Sequence, residues 1–524
     1  MSVLKYFLDK QKLLCWSLLV IILGLVLRWL PMYPDNFYFT VDQGDDAVQA
    51  RQWWYRHQLP LVGQGTSIKG VYHGPYWIWL IGIGFWLFDG HPLGALTILI
   101  IINLSATILL VRKLAQKTSL VFAVFTGLSL QVFWPFYEVS RFAFSPFPLT
   151  AIAIVTVLFL TQALEKKPVF LIFAAFLIGF IWHTELASIA PFLGLFFLVC
   201  FWGHKTHLWA RKEIMHAVLG LLVFFIPLFI TETANGFPQF WALRNHLITQ
   251  NHVFSRLTWA GTSLKMADLI GQSLIGQERF VYLGLVMAIA ILIFFLTRSK
   301  PFLSGNESLV FIRRFVLLSW CLTFLTGVWF AMNQGWHPWH TVYIPPLLFL
   351  TNLLIIYMLP KKISQVLLLI ILISQLSLFF QRYQEYFRPA NDAGILHNQL
   401  KAIDWIYRQA ENKGFYVYIY TPFVYDYPYQ YLIWWKGLKK YGYLPCEYST
   451  YPSTPSLYVP GLKHYQTPQK DCVEAPRTKD RFLIIEPDQN KANQNAWLTG
   501  IATGTTLVAK AFVGSITIEQ RWQH

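Results

Sequence analysis

Apolar positions come in long runs through the first 380 residues. Eleven runs are each about the length needed to cross a ~30 Å hydrocarbon core: residues 13–30, 93–111, 119–136, 148–164, 168–182, 186–202, 214–230, 280–297, 315–332, 341–359 and 363–380. Backbone groups in lipid find partners only within the segment itself, so each run is expected to be helical. A twelfth run, residues 75–88, has only 14 residues and suits an interfacial or re-entrant helix.

After residue 380 the pattern changes: 16 Lys and Arg, 12 Asp and Glu and many tyrosines replace the apolar runs in residues 382–524. This predicts a folded aqueous domain. Residues 391–411 carry helical spacing, 415–420 and 481–486 read as short strands, and 506–521 as a closing hairpin around Gly514. The expected organisation is an all-α polytopic membrane domain over 1–381, its first outer loop at 31–92, followed by a small α/β domain over 382–524.

Composition agrees with this class: 55% hydrophobic, 17% aromatic and 13% charged residues, with mean hydropathy +0.43, exceed what a soluble globule carries. Loop charge sets the orientation. If residues 75–88 do not cross, six basic clusters fall on one side: Lys5/Lys10/Lys12, Arg112/Lys113/Lys117, Lys166/Lys167, Lys205/Arg211/Lys212, Arg298/Lys300/Arg313/Arg314 and Lys361/Lys362. That side then holds 17 Lys and Arg, whereas the opposite loops of the membrane part hold eight, so the amino terminus is expected inside. Much of the net charge of +16 is then topological and does not point to nucleic acid. The first run ends in no small-residue cleavage site and reads as a retained helix. An odd number of spans puts 382–524 outside the cytoplasm, where Cys446 and Cys472 are free to pair in an oxidising compartment. Cys15, Cys200 and Cys321 lie in apolar runs and read as packing residues.

On this topology the remaining ionisable residues converge on the outer face. Residues 42–75 alone hold three acids, three basic side chains and two histidines. Glu138 and Arg141 follow in a turn, then His183 and Glu185, Arg244, His246 and His252, and His337 and His340. Each has a plain alternative, an i to i+3 ion pair or an interfacial anchor. Together they predict a cavity at the bilayer surface. Asp42 and Asp46 are four apart, so a helix starting near Asp42 would place both on one face with Gln49 next. Such a pair suits a base and its orienter, since burial raises a carboxylate's pKa; Asp45 or Asp46 is equally suited to capping. Trp53, Trp54, Tyr72, Tyr76 and Trp77 offer flat surfaces for sugar rings or an interfacial belt.

Asp42-Gln43, Ala47 and Arg51 on one helix after a long apolar run, then Gly70, His73, Gly74 and Pro75 before a short aromatic helix, resemble the GT-C membrane glycosyltransferases. The resemblance is strongest to family 39 types, the protein O-mannosyltransferases and lipid A aminoarabinose transferases, and covers about residues 13–200. It implies a polyprenyl-phosphate sugar donor and inverting transfer to a glycan, lipid or protein acceptor at the outer face of the plasma membrane. Asp42 takes the position of the catalytic base, with Asp46 beside it. Arg51, His73, Arg141 and Arg244 are the expected donor-phosphate ligands, and Gln43, Asp45, Glu138, His183, Glu185 and His337 the expected positioning residues. His73 stands where the family carries an acidic or basic residue that meets phosphate or metal, and no clean metal-ligand spacing appears, so a divalent cation is left open. The alternatives are a flippase or transporter for a lipid-linked sugar, and a carbohydrate-binding scaffold. The first would call for polar groups at mid-membrane and paired broken helices, and the long runs show neither.

Overall fold

The computed structural model describes residues 2–249, 256–275, 281–298, 306–332, 336–387, 390–454, 456–466, 472 and 479–524. It is mostly helical. In chain order the helices are α1 (Ser2–Trp29), α2 (Val41–Trp54), α3 (Tyr76–Leu87), α4 (Leu93–Lys117), α5 (Leu120–Val132), α6 (Trp134–Glu138), α7 (Leu149–Ala163), α8 (Val169–Ile181) and α9 (Ile189–Lys205). Next come α10 (Arg211–Val223), α11 (Ile226–Ala234), α12 (Pro238–Thr249), α13 (Arg256–Ile275), α14 (Val281–Arg298), α15 (Glu307–Met332), α16 (Ile344–Tyr357) and α17 (Lys361–Tyr383). The carboxyl-terminal part adds α18 (Leu396–Ala410), α19 (Tyr427–Lys436) and α20 (Lys491–Ala502). Its strands are β1 (Tyr416–Tyr420), β2 (Glu447–Ser449), β3 (Asp480–Ile485), β4 (Thr505–Val513) and β5 (Ile516–Gln523).

Among the described residues six helical stretches are long and apolar enough to cross a membrane: Gln11–Met32, Leu93–Lys117, Leu186–Lys205, Glu307–Met332, Pro338–Tyr357 and Lys361–Phe387. Counting each of two bent pairs as one span raises the number to eight. The run at 119–136 breaks by 66° between α5 and α6, and the run at 214–230 breaks by 58° between α10 and α11. Each break has a proline in the first turn of its second helix, Pro135 and Pro227, where a missing N–H and a ring clash end an α-helix coming from before it. The expectation of no broken helices therefore fails. The runs at 148–164, 168–182 and 280–297 form shorter apolar helices, as does α3.

The chain divides into two compact units. The first is Met1–Arg28, Leu61–Trp77 and Ile98–Gln384; the second is Trp29–Pro60, Ile78–Thr97 and Glu385–His524.

In the first unit α8 packs on α7 and α10, α15 on α9 and α16, and α13 on α14, α15 and α16. Helix α13 was not foreseen, because its 20 residues mix polar and apolar side chains without a membrane-length run. The core is aliphatic and aromatic: Phe133 stacks on Phe349 at 4.2 Å, and the Tyr343 hydroxyl lies 2.6 Å from that of Thr326. Three lysines and arginines of the basic clusters tie helix ends together. Lys113 and Lys117 reach Glu165 at 3.1 and 2.9 Å, and Arg314 donates to the Leu164 carbonyl at 2.6 Å.

The second unit is built on a mixed five-stranded sheet of order β2-β1-β3-β5-β4. Strand β1 runs parallel to β2 and β3, while β5 is antiparallel to both β3 and β4. The β4–β5 turn sits on Gly514, whose φ of +57° suits a residue without a Cβ. Tyr418, Tyr420, Leu483 and Ile485 bury one face against Trp497 and Ile501 of α20. Cys446 and Cys472 form a disulfide. The segment before α2 joins this unit by backbone pairing: Phe39 N–H donates to Gly394 O at 2.8 Å and Leu396 N–H to Phe37 O at 2.9 Å. Tyr431 and Trp435 of α19 donate to the carbonyls of Gly90 and Asp89, each at 2.8 Å.

Candidate functional site

In the second unit α2 starts at Thr40. The Thr40 backbone N–H and hydroxyl both donate to Gln43 Oε1, at 3.0 and 2.8 Å, so Gln43 serves the helix cap. The next turns decide which carboxylates are open. Asp42, Asp45 and Gln49 share the half-buried face, whereas Asp46, expected beside Asp42, turns inward and is 2% exposed. Spacing of three and seven, not four, sets this face, because Gly44 seats the other side of α2 against α19. A Cβ on Gly44 would lie 2.4 Å from Pro428 N and 2.6 Å from the Tyr427 carbonyl carbon. Asp45 Oδ1 accepts from Gln49 Nε2 at 2.9 Å. Burial first, then the nearby Asp42 charge, pushes Asp45 up to about 6, against the lowering hydrogen bond of Gln49. Burial also raises Asp42.

Arg51 ends the same helix and is fully buried. Its guanidinium lies 3.6 Å from the Tyr465 ring centroid and 4.8 Å from that of Trp434. The side chain expected to meet phosphate is thus enclosed by rings of its own unit.

In the first unit His73 closes a hairpin-like turn in which Gly63 N–H donates to His73 O and His73 N–H to Gln64 O, both at 2.8 Å. The residue is half-buried, and loss of solvent around the imidazole lowers it to about 4. His183 Nε2 faces the Phe224 carbonyl at 2.9 Å and its Nδ1 accepts from Tyr76 N–H at 3.3 Å, which assigns the proton to Nε2. Burial holds His183 neutral, down to about 3. Gly74 leaves room only for that ring: a Cβ there would be 1.9 Å from His183 Nδ1.

Glu185 accepts from Ala187 N–H at 3.1 Å and its Oε1 stands 3.7 Å from His340 Nε2. Burial pushes Glu185 up to about 7. His340 is fixed at the other ring nitrogen by His337 N–H at 3.2 Å, and Ser188 Oγ donates to its carbonyl at 2.8 Å. His337 stacks on Trp339 at 4.4 Å. Within this one unit Gly74, the residue after His73, lies against His183, and Glu185 faces His340.

Glu138 ends α6 exposed, whereas Arg141 is buried beside Tyr137 and Tyr383. Arg28, which sequence reasoning passed over, serves the same two tyrosines. Its Nε donates to Ser140 Oγ at 2.6 Å and its Nη1 to Gln131 Oε1 at 2.7 Å. The available signal was a single arginine in the last turn of the first apolar run, where a charge in lipid is costly unless it has work to do. Arg244 lies exposed on α12 over the Trp241 ring at 5.4 Å. Helix α12, read as loop, docks on the hairpin turn: Gln239 Oε1 accepts from Tyr72 N–H at 2.8 Å. His252 lies outside the described residues. Among the described residues no three His, Cys, Asp or Glu side chains converge as metal ligands.

No family model and no curated protein matches the chain. Among solved structures it is similar to ArnT from Cupriavidus metallidurans. The structure bound to undecaprenyl phosphate gives 14% identity and a TM-score of 0.46 over 96% of this chain and 98% of that one. The apo structure gives 15% and 0.49 over 96% and 97%. Values of this size name neither a family nor an activity for the chain.

Proposed function

We propose that this chain is an integral membrane glycosyltransferase that moves a sugar, with inversion, from a polyprenyl-phosphate donor to an acceptor hydroxyl at the outer face of the plasma membrane. The observation that carries this reading is the open face of α2. It follows the first apolar helix closely, matches the Asp-Gln motif of the first outer loop, and presents two half-buried carboxylates whose proton affinity burial raises. Asp42 takes the acceptor proton as the new C–O bond forms and the anomeric carbon–phosphate oxygen bond breaks. Polyprenyl phosphate leaves with the electron pair. Asp45 shares the proton with Asp42, since two close carboxylates titrate as a pair. Asp46 supports the helix from within. By the resemblance, Arg141, Arg244 and His73 of the first unit are assigned to the donor phosphate, with Arg28 holding the Arg141 turn; Arg51 is assigned an anchoring part. Glu138, Glu185, His183 and His337 shape the surroundings.

This reading keeps eleven spans with the amino terminus inside, a membrane part over 1–381 and an outer part over 382–524, supported by the loop charge. The test is purified protein in nanodiscs given polyprenyl-phosphate-linked sugars of several kinds. Release of polyprenyl phosphate is the expected result. Because two bent helix pairs remove one argument against transport, the same preparation is reconstituted in vesicles with labelled lipid. Movement of intact lipid across the bilayer without bond cleavage overturns the enzyme reading.

A further inference from the structure

The turn that leads into α19, residues 421–427, exposes apolar side chains on an aqueous part of the chain. Phe423 is 67% exposed, Val424 68% and Tyr425 48%. Val424 also adopts φ +69°, a left-handed conformation that a β-branched residue avoids. The turn is nevertheless fixed: Val424 N–H donates to Thr421 O at 3.2 Å, and Thr421 Oγ1 donates to Tyr425 O at 3.1 Å. Strain kept on an exposed turn by its own hydrogen bonds marks a segment whose shape serves something other than packing.

Three tyrosines are set around it. Tyr425 lies nearly parallel to Tyr427, with centroids 5.6 Å apart and 26° between planes, and Tyr458 stands edge-on to both at 5.1 and 5.0 Å. A wholly buried carboxylate holds the third. Asp426 accepts the Tyr458 hydroxyl and, at 2.9 Å, Gln430 Nε2, while that same amide also donates to Tyr448 O at 2.8 Å. The group borders α2. Gly44 meets the Tyr427–Pro428 peptide, and burial first, then the nearby Asp45 charge, raises the Tyr427 phenol.

The chemistry of these groups selects the occupant. Ring faces with polar edges suit the apolar faces of pyranoses, and carboxylates accept from their hydroxyls. Residues 421–430, Thr-Pro-Phe-Val-Tyr-Asp-Tyr-Pro-Tyr-Gln, contain no lysine or arginine, so neither phosphate nor an anionic polymer finds a counter-charge there. We infer that Tyr425, Tyr427 and Tyr458 form a carbohydrate subsite beside α2 that receives a neutral glycan. Resting on the proposed function, it is the acceptor subsite, and it places an acceptor hydroxyl at the Asp42 and Asp45 face.

The test uses full-length protein in nanodiscs and saturation-transfer NMR with maltose, cellobiose, α-1,2-mannobiose and N,N′-diacetylchitobiose as probes. At least one disaccharide is expected to receive saturation. Its signal should fall about fivefold to tenfold in Tyr425→Ala, the size of one aromatic contact, and be largely retained in Tyr425→Phe. Tyr425 is half exposed, so the alanine variant keeps the fold. Hydrolysis of a polyprenyl-phosphate-linked sugar in the absence of acceptor is followed in the same nanodiscs and should be unchanged by Tyr425→Ala. Disaccharide binding without any donor cleavage sustains the subsite and sinks the enzyme reading. No saturation of any probe, or equal saturation in Tyr425→Ala, overturns the subsite. So does a fluorophore on Val424→Cys that shifts to the blue on vesicles of phosphatidylethanolamine and phosphatidylglycerol, which would make the turn a lipid contact.

Discussion

Gly44 and Gly74 each hold a candidate site in place by what they lack. At Gly44 the atoms a methyl group would strike belong to the backbone of α19, which has no rotamer to change. Gly44→Ala should therefore cost about 1–3 kcal/mol by overpacking, read as a fall in denaturation midpoint; an unchanged midpoint would mean that α2 does not lie on α19. At Gly74 the obstacle is the imidazole of His183, pinned on both nitrogens. Gly74→Ala should displace His183 from Tyr76 and cost activity, whereas Gly65→Ala, in open contact with Tyr72 at 3.8 Å, should be tolerated. Equal losses in both would make the His183 anchor irrelevant. Of the face expected from the sequence, Asp42 with Asp46 and Gln49 next, only the places of Asp42 and Gln49 were legible, and Asp45 takes the place given to Asp46. That Asp46 belongs to the other face was not legible, because the contact that orients the helix comes from residues 427–428.

The candidate helix α2 is held at the level of elements by its last turn, where Arg51 lies between aromatic rings from the carboxyl-terminal part of the chain. If the guanidinium serves packing, Tyr465→Ala should cost about 3–5 kcal/mol, while Arg51→Met, which keeps the volume and removes a buried charge, should cost less than about 2 kcal/mol. The opposite order in thermal melts would show that Arg51 pairs with an anion after all. The Cys446–Cys472 disulfide, closing a loop with a sequence separation of 26, is worth roughly 3 kcal/mol in the loop-entropy model. Its reduction should lower the melting temperature, and no change would deny it that role. Strands β1, β3 and the β4–β5 hairpin were legible from alternation and Gly514. Helices α12 and α13 were not, since neither carries a membrane-length apolar run, and the two bends were signalled only by Pro135 and Pro227 inside runs that hydropathy reads as straight.

For the whole molecule, composition made the membrane class legible and loop charge predicts its polarity, while the gathering of residues 29–60 and 78–97 with residues 385–524 in one unit rests on contacts about 350 residues apart in sequence. The orientation is open to a direct check: cysteines at Ser67→Cys and His524→Cys should react with an impermeant reagent from the same side, and labelling from opposite sides would end the eleven-span account. The acidic pair adds a pH dependence. With Asp45 raised to about 6 by burial, its base form is lost as pH falls through that value, so turnover should decline on the acid side of about pH 6. Stability runs the other way: a carboxylate whose folded value lies above its unfolded value favours the fold most fully below the unfolded value, and that contribution is lost as pH rises through about 6. The most direct measurement is turnover of a polyprenyl-phosphate-linked sugar by purified Asp42→Asn, with donor binding followed in parallel. A positioned base is worth on the order of 10² to 10⁴ in rate, so turnover should collapse by that factor while the folded protein still binds the lipid phosphate. Wild-type turnover in Asp42→Asn would contradict the assignment of the base to Asp42.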